Sequence, residues 1–437
     1  MELDNVMLAR MLTSLTLGFH IIFAAMGVGI PVLISVAEWL GIRKKDPMYT
    51  LMAKRWVKGF TVTVAVGVVT GTCIGLQLSL LWPSFMKIAG EAIALPLFLE
   101  TFAFFFEAIF LGMYLYTWDR FKNPYIHWLF SIPVVIGSTA SAFFIMTVNA
   151  FMNAPQGFSL VNGAIVDIQP LVAMFNPATP SKTGHMILSS YATSAYVLAA
   201  LAAYKLLKGN AHEYYRKALS FTMVMALLFS FGTALWGDIA GKYLAEYQPA
   251  KLAAAEWHFE TKPQAELVLG GVLDKDTLEV KYSLKLPYAL SILADGSPNS
   301  VVKGLDQIPK EYWPPLFIHY LFDGMVVIGM YMLIVPIFFF AWRKRKKGQT
   351  PRMLLRAIIW GAPLSFLAIE LGWVFSEVGR QPWILVGYMK TQHAATTADN
   401  VGEMLVLFSL LYAFLAVVST AVLRRMFKDK PVQAELQ

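Results

Sequence analysis

The sequence predicts an all-α integral membrane protein, a bundle of nine transmembrane helices with the N-terminus outside the cell and the C-terminus in the cytoplasm. Three observations support this prediction. The 437 residues are 57% hydrophobic and 15% charged, whereas a soluble domain carries about a quarter charged residues. Nine apolar runs are long enough to span a bilayer. The basic residues between these runs are concentrated on one side of the membrane.

The nine runs show neither the two-residue alternation of β-strands nor a long sequence repeat. Their predicted bounds are 11–40, 59–84, 92–118, 128–152, 182–207, 218–240, 313–342, 357–378 and 401–424. The first run is too long for a signal peptide and follows no basic segment, so we expect it to remain as a spanning helix. The single cysteine, Cys73, lies in an apolar run, which excludes a disulfide or thiolate metal framework.

The basic residues set the predicted orientation, because Lys and Arg accumulate in cytoplasmic loops. The loops on one side contain 23 of them, namely Arg43, Lys44, Lys45, Lys54, Arg55, Lys58, Arg120, Lys122, Lys205, Lys208, Arg216, Lys217, Arg343, Lys344, Arg345, Lys346, Lys347, Arg352, Arg356, Arg424, Arg425, Lys428 and Lys430. Outside residues 241–312, the other side contains only Arg10, Lys87, Lys182, Arg380 and Lys390. This asymmetry places the N-terminus outside. It also explains the net charge of +8 without a nucleic-acid partner.

One membrane domain is predicted, interrupted by a long polar segment between the sixth and seventh runs. Residues 1–240 would form helices 1–6, residues 241–312 an external loop, and residues 313–437 helices 7–9 with a short cytoplasmic tail. Connections of this length are usually functional or disordered. The alternation of apolar and polar residues from Tyr282 to Leu290 predicts local order. We therefore expect the loop to be a folded external lid.

Charged side chains inside the predicted eighth helix indicate a functional site. Glu370 and Glu377 are seven residues apart and share one face of the helix. Carboxylates within a membrane helix are costly and usually face the bundle interior, where they have a partner or a role. Arg380, one turn after Glu377, can neutralise it or hold an anion, and Pro382 ends the helix. The alternative is a buried Glu–Arg pair that only fixes helix packing.

Five side chains that could bind metal are predicted to fall in one layer near the outer face, about 25–33 Å along their helices from the cytoplasmic ends. They are His20, Glu100, His185, Met325 and Glu377. Glu107 and Glu370 lie lower, near the middle of the membrane. Taken singly, such residues have structural explanations, since a membrane histidine often only hydrogen-bonds and methionine fills gaps. Together they form the arrangement expected of haem irons that receive protons from the cytoplasm.

Four motifs resemble those of subunit I of the cytochrome bd quinol oxidases. They are GRQPW at 379–383, TWDR at 117–120, LARMLTSLTLGFH at 8–20 and KLAAAEW at 251–257. The resemblance extends from Met1 to the end of the ninth run. It implies a quinol:oxygen oxidoreductase of the bacterial or archaeal plasma membrane. Such an enzyme oxidises quinol at the outer face and reduces O2 to water with cytoplasmic protons, which generates a proton-motive force without pumping.

The resemblance also implies three haems, a low-spin haem b, a high-spin haem b and a haem d. His185 and Met325 would be the axial ligands of the low-spin haem, a pair that favours electron transfer. His20 and Glu377 would serve the two high-spin haems, with the assignment of each iron left open. Glu100 is an alternative ligand. Whether the haem d position holds a chlorin or a b haem is likewise open.

Supporting roles follow from the same resemblance. Trp373 would pack against a macrocycle, Arg10 would bind a haem propionate, and Arg380 belongs to the cofactor-binding set. In the external loop, Glu256 would accept the quinol proton and Lys251 would hydrogen-bond the quinone oxygen. Charge alone favours a different interpretation of these two residues, a solvated ion pair on a surface helix.

Proton delivery is assigned to Glu107, which lies two turns from Glu100 on the same helix face. The alternative is a structural carboxyl group bonded to a neighbouring hydroxyl. Some family members space these two carboxylates one residue wider, so the role of Glu100 is less defined than that of Glu107. The external loop lacks the long insertion of some relatives, which places the chain in the short-loop branch.

The implied partners are a second large membrane subunit (subunit II), quinol, O2 and the lipid bilayer. A small single-helix subunit and the choice between ubiquinol and menaquinol stay open. Two other classes of protein remain as alternatives. A proton-coupled transporter would use the buried carboxylates without a redox centre, but such folds usually show broken helices and internal repeats, which this sequence lacks. A haem-bearing electron carrier would have no oxygen chemistry.

Overall fold

The computed structural model describes residues 4–161, 164–345, 350–428 and 432. Its helices are α1 (Asn5–Lys44), α2 (Pro47–Leu81), α3 (Pro83–Tyr116), α4 (Pro124–Leu129), α5 (Ser131–Asn153), α6 (Pro170–Met174), α7 (Thr179–Leu207), α8 (Glu213–Tyr247), α9 (Pro249–Ala255), α10 (Ala289–Asp295), α11 (Ile318–Arg345), α12 (Arg352–Val378) and α13 (Val401–Lys428). Among the described residues, nine spans are long and apolar enough to cross a membrane, with α4 and α5 together forming one of them. The predicted bundle of nine helices is therefore confirmed.

Several helices extend beyond their apolar runs. α2 begins at Pro47 rather than at 59, because proline suits the first helical position and the Asp46 carboxylate caps the next turn. α11 instead begins at Ile318 rather than at 313, since two prolines at 314 and 315 delay the helix. Of the counted basic residues, Lys346, Lys347 and Lys430 lie outside the described residues, as does most of the tail after α13.

The connections define two ends of the bundle. At the loop end lie the start of α1, residues 248–317 between α8 and α11, and the turn between α12 and α13. At the basic end lie the turns from α1 to α2, from α3 to α4, from α7 to α8 and from α11 to α12. The placement of the loop end outside and the basic end in the cytoplasm stays a prediction.

The helices form two groups that meet at α1, α5 and α7. In one group α1 packs against α2 and α5, and α3 packs against α5. In the other group α7 packs against α8 and α12, and α11 packs against the same two helices. α7 and α11 therefore lie opposite each other. α13 lies against α1 and α2.

Apolar side chains also cover the outside of the bundle. On α3, Phe98, Phe102, Phe105 and Ile109 are each at least 60% exposed. They recur at three- and four-residue intervals and so form one stripe along the helix. An outward apolar stripe of this kind is expected where a helix faces lipid or another membrane subunit.

The segment 248–317 is folded and lies over the loop end. Short antiparallel strand pairs occur here and in two other connections: β1 (Ser159–Val161) with β2 (Ala164–Val166), β3 (Leu267–Leu269) with β6 (Leu284–Leu286), β4 (Val272–Leu273) with β5 (Val280–Lys281), and β7 (Trp383–Leu385) with β8 (Met389–Lys390). The β4–β5 pair is nested inside the β3–β6 pair. Leu252, Leu290 and Leu305 are buried beneath this segment together with Phe375 of α12. The shared apolar cluster attaches the segment to the bundle.

Candidate functional site

His20 on α1 is hydrogen-bonded through only one of its ring nitrogens among the described residues. Its Nδ1 lies 2.8 Å from the Thr70 hydroxyl oxygen on α2. That hydroxyl donates its own proton to the Val66 carbonyl, 2.9 Å away, so it accepts the proton on His20 Nδ1. The neutral imidazole therefore keeps its lone pair on Nε2. Hydrogen bonds that fix the tautomer in this way typically accompany histidines that bind metal.

His185 and Met325 lie at one level of the second helix group. His185 on α7 is half-buried, and its buried Nδ1 has no hydrogen-bond partner among the described residues. Met325 is on α11, which lies opposite α7. Both residues are about 9–10 Å along their helices from the loop end. The structure thus places a free imidazole nitrogen and a thioether sulfur on facing helices at equal depth.

A close approach of α12 fixes the position of Met325. A Cβ atom added to Gly372 would lie 2.8 Å from Met325 Sδ, closer than real Cβ atoms come to other atoms. Only glycine at this position leaves the sulfur where it is. Trp373 follows directly and is half-buried, one turn before Glu377.

Glu377 is held at the end of α12 by two donors. The Arg380 guanidinium forms an ion pair with Oε2, and the Asn149 amide on α5 donates to Oε1 over 2.6 Å. Arg380 is itself buried, and its Nε and Nη1 have no partner among the described residues. The Glu–Arg pair considered from the sequence exists. However, its guanidinium retains two donors that can bind a further anion.

Two lysines complete this cluster, of which Lys182 is half-buried and Lys251 is buried. Lys182 on α7 donates to the Asn149 side-chain carbonyl and to the Ser376 hydroxyl, over 3.0 and 2.7 Å. Lys251 on α9 donates to the Ser376 backbone carbonyl over 2.9 Å. Burial, and then the charges of Lys182 and Arg380, lower the pKa of Lys251 well below its usual value. Lys182, counted from the sequence as a loop residue, is therefore part of the site.

Glu256 is fully buried at the end of α9. Its Oε2 accepts the Val268 N–H over 3.2 Å, and its Oε1 has no partner among the described residues. Burial raises the pKa of Glu256 well above its usual value, and nearby Asp323 adds to the effect. The interpretation of Lys251 and Glu256 as a solvated surface pair is wrong, because both are buried. Their side chains contact different neighbours, since five residues turn a helix by about 140°.

Sequence reasoning did not identify His319 and Asp323 at the start of α11. His319 Nδ1 lies 2.7 Å from the Ala255 carbonyl, and Nε2 lies 3.2 Å from Asp323 Oδ2. Asp323 in turn accepts the Gly270 N–H over 2.5 Å. These hydrogen bonds connect the chain on either side of Glu256, at Ala255 and Gly270, to α11, the helix that carries Met325. The available signal was a histidine and a carboxylate four residues apart within an apolar run.

Glu100 and Glu107 lie along the contact between α3 and α5. The Ser141 hydroxyl donates to Glu100 Oε1 over 2.9 Å. Glu107 is buried at a close contact between the two helices, because a Cβ atom added to Gly137 of α5 would lie 2.8 Å from the Cβ of Glu107. Glu107 and Glu100 are about 14 and 24 Å along α3 from the basic end, whereas the other four candidate ligands lie about 30–38 Å from theirs. From the loop end, however, Glu100 and His20 are about 26 and 22 Å along their helices. The choice between iron ligation and proton delivery for Glu100 therefore stays a prediction.

Two further candidate residues lie on α1 or against it. Arg10 is half-buried, about 15 Å closer to the loop end. Glu370 on α12 faces α1, because its Oε2 would lie 3.5 Å from a Cβ on Gly18. Its Oε1 is buried without a partner among the described residues. The structure therefore sets Glu370 beside the turn of α1 that contains His20, while Glu377 lies with Asn149 and Arg380.

The donor set fits haem. Imidazole nitrogen and thioether sulfur are axial ligands of haem iron, and His20, His185 and Met325 present these atoms. The Nε and Nη1 groups of Arg380, which have no partner among the described residues, can donate to a carboxylate such as a haem propionate. No group of three His, Cys, Asp or Glu side chains that could hold a bare metal ion occurs among the described residues.

The chain is similar to known proteins over almost its whole length. Residues 8–431 match the family described as cytochrome bd terminal oxidase subunit I. The chain is 42% identical to the putative cytochrome bd menaquinol oxidase subunit I of Bacillus subtilis, with 99% of each chain covered. It is 32% identical to the cytochrome bd ubiquinol oxidase subunit 1 of the same organism, covering 95% of this chain and 92% of that protein. A solved structure of the bd oxidase from Geobacillus thermodenitrificans superposes with a TM-score of 0.95 at 59% identity, covering 98% and 99% of the two chains.

Proposed function

Because this chain belongs to the cytochrome bd oxidase subunit I family, we propose that it oxidises quinol at the loop end and takes protons for oxygen reduction from the basic end. The chain is a subunit of a terminal oxidase, an oxidoreductase that couples quinol oxidation to oxygen reduction in the bacterial plasma membrane. Cytochrome bd oxidases use haems and work with a subunit II. The observation that carries the finer proposal is the pair of histidines, His20 and His185, that each keep a ring nitrogen free.

The candidate ligands form two sets, one for a low-spin haem and one for two high-spin haems. His185 and Met325 would hold a low-spin haem b, and His20 and Glu377 would serve a high-spin haem b and a haem d. When bound, the low-spin haem supplies one-electron transfer, and the two high-spin haems supply the site of oxygen reduction. Thr70 holds the tautomer of His20, and Gly372 admits the sulfur of Met325.

Glu256 would accept the hydroxyl proton of quinol. Its buried Oε1 is free to take a proton, and its raised pKa suits a group that holds the proton before releasing it to the outside. Lys251 would place a donor on the quinone oxygen from the other side of α9. Because its pKa is lowered, Lys251 can donate this hydrogen bond as a neutral amine, without adding a positive charge to the buried cluster.

Proton chemistry on opposite sides would generate the proton-motive force. Two quinols release four electrons and four protons, and one O2 takes up four electrons and four protons to form two water molecules. Glu107, and Glu100 beyond it, would carry the incoming protons along the contact between α3 and α5. Charge then crosses the membrane in each turnover although no proton is pumped.

Subunit II would pack against an apolar outer face of this chain, and a small single-helix subunit would need a further one. Exposed apolar stripes such as that of α3 supply such faces, and lipid covers the remainder. Nucleic acid has no role in this assignment, since the basic residues follow the loops at one end of the bundle.

An optical spectrum of the purified oxidase, recorded reduced minus oxidised, tests the proposal together with oxygen uptake on ubiquinol and menaquinol. We expect b and chlorin bands and quinol-dependent oxygen uptake. Protein without haem would instead support a proton-coupled transporter, and b bands without oxygen uptake would support an electron carrier. In sealed vesicles, quinol oxidation should acidify the compartment that the loop end faces.

The quinol site has a test of its own. Glu256→Ala or Lys251→Ala should lower quinol oxidation sharply and leave the haem spectrum unchanged. An artificial donor that reduces the haems directly should still drive oxygen uptake in both variants. Normal quinol turnover in both would refute the site, whereas loss of haem would make the residues structural.

A further inference from the structure

A buried polar network occupies the basic end of the first helix group. Glu38 on α1 is 3% exposed and His127 on α4 is equally buried. His127 Nδ1 lies 2.6 Å from Glu38 Oε1, and the Tyr114 hydroxyl on α3 donates to Glu38 Oε2, also over 2.6 Å. His127 Nε2 donates to the Tyr114 backbone carbonyl over 2.9 Å. The three side chains therefore connect α1, α3 and α4 through short hydrogen bonds.

This geometry requires a proton between Glu38 and His127. The Tyr114 carbonyl can only accept, so His127 Nε2 carries a hydrogen. A neutral imidazole would then turn the lone pair of Nδ1 toward Glu38. The short contact with Oε1 is stable only with a proton on one of the two atoms, either as neutral acid and imidazole or as carboxylate and imidazolium. The Glu38–His127 pair is thus a buried group that holds one transferable proton.

The pair lies close to the surface of the basic end. The Trp118 ring covers His127, with ring centroids 4.4 Å apart. The Lys54 ammonium lies over the Trp118 ring, 5.4 Å from the ring centroid, and is 3.4 Å from the exposed Asp119 carboxylate. One aromatic side chain therefore separates the pair from charged groups in contact with water.

A small cavity lies beside Tyr114, among α1, α2, α3 and α5. It has a volume of about 10 Å³ and is lined by Tyr114 and Leu111 of α3, Ser131 and Val134 of α5, and apolar residues of α1 and α2. This volume is close to the minimum that holds one water molecule. Glu107 lies one turn beyond Leu111, about 10 Å along α3 from Tyr114. Tyr114 and Ser131 are the two polar residues in a lining that is otherwise apolar, so a water molecule there would hydrogen-bond to these two.

We propose that the Glu38–His127 pair loads protons at the basic end and supplies them, by way of Tyr114 and a water molecule in this cavity, to Glu107. The inference rests on the proposed function, in which oxygen reduction draws its protons from this end. Each loading event moves one proton from water to the pair, and each delivery moves one proton from the pair to the Glu107 carboxylate. The pair returns to its starting state when it takes the next proton from water.

Glu38→Gln in the complete oxidase separates proton loading from a purely structural role. Glutamine keeps the shape and the hydrogen-bonding atoms but cannot carry the proton. We expect an unchanged haem spectrum, an unchanged rate of haem reduction by quinol without oxygen, and a loss of oxygen uptake of at least about tenfold. The solvent isotope effect on oxygen uptake should rise, because proton transfer then limits turnover.

Tyr114→Phe and Tyr196→Phe form a matched pair of variants. Both tyrosines are buried, and both hydroxyls donate over 2.6 Å, but that of Tyr196 reaches the Met332 carbonyl in the other helix group. Tyr114→Phe should give an intermediate loss of oxygen uptake and Tyr196→Phe none. If Glu38→Gln fails to assemble with haem, the contrast between the two tyrosine variants decides the question.

Wild-type oxygen uptake and isotope effect in Glu38→Gln would overturn the inference, as would equal losses in both tyrosine variants. These outcomes differ from a failure of the proposed function. If the wild-type oxidase took no protons from the compartment that the basic end faces, the assigned direction of proton uptake would be wrong whatever the variants did.

Discussion

Replacing Gly372 with alanine tests whether the Met325 sulfur binds iron, because the added methyl group displaces that atom and little else. The contact of 2.8 Å must open to about 3.4 Å, so the sulfur must retreat by about 0.6 Å. Metal–ligand distances are fixed within about 0.2 Å. Folding should survive, since the flexible thioether can move away. Overpacking costs about 1–3 kcal/mol, and alanine recovers up to about 1 kcal/mol of helix propensity.

The assay is the reduced-minus-oxidised spectrum of the variant oxidase with a redox titration. We expect the low-spin b band to disappear or its potential to fall, with the chlorin band retained. Met325→Leu, which should cost less than about 1.5 kcal/mol, should reproduce this spectrum. Gly329→Ala is the control, because it lies on the same helix as Met325 and its Cβ meets nothing within 4 Å. An unchanged low-spin spectrum in both test variants would mean that Met325 only packs.

Three further predictions concern separate parts of the site. Thr70→Val removes the acceptor that fixes the His20 tautomer, so haem should be retained about 10–100-fold less tightly; equal retention on titration with haem would contradict this. Glu107→Gln should slow oxygen reduction with haem content intact, and a wild-type rate would exclude Glu107 from the proton route. Quinol oxidation should accelerate as pH rises through the raised pKa of Glu256, because a proton acceptor must first be deprotonated. The rise should vanish in Glu256→Gln, and a flat wild-type profile would count against the role.

The number of helices was predictable because length and apolarity alone decide which segments can span a bilayer. Helix ends were less predictable. The apolar runs mark the bilayer core, whereas the helices continue through charged turns until a proline or a cap ends them. Asp46 and Pro47 show this for α2, whose first turns carry Lys54 and Arg55.

The candidate ligands were predictable for a similar reason, since polar residues in apolar runs are rare. Their partners were harder to find. Thr70 is ordinary in a helix, and only the fold brings it to His20, fifty residues away. Lys182 was counted among the basic residues of the outer side because it lies at the first turn of α7, yet it donates to Asn149 of α5 and Ser376 of α12. Such contacts depend on how helices distant in sequence pack, and no local pattern encodes them.

In the proposed mechanism, the fold also keeps the two proton chemistries apart. The acceptor side involves α9 and the start of α11, where His319 and Asp323 surround Glu256 near Met325. The delivery side involves α3, α4 and α5 in the other helix group, where Glu107 lies against Gly137. The two groups meet through α1, α5 and α7. A proton leak between the sides would dissipate the charge separation, so the proposed mechanism without pumping depends on this division. Variants in one group should therefore change one half-reaction and leave the other at its wild-type rate.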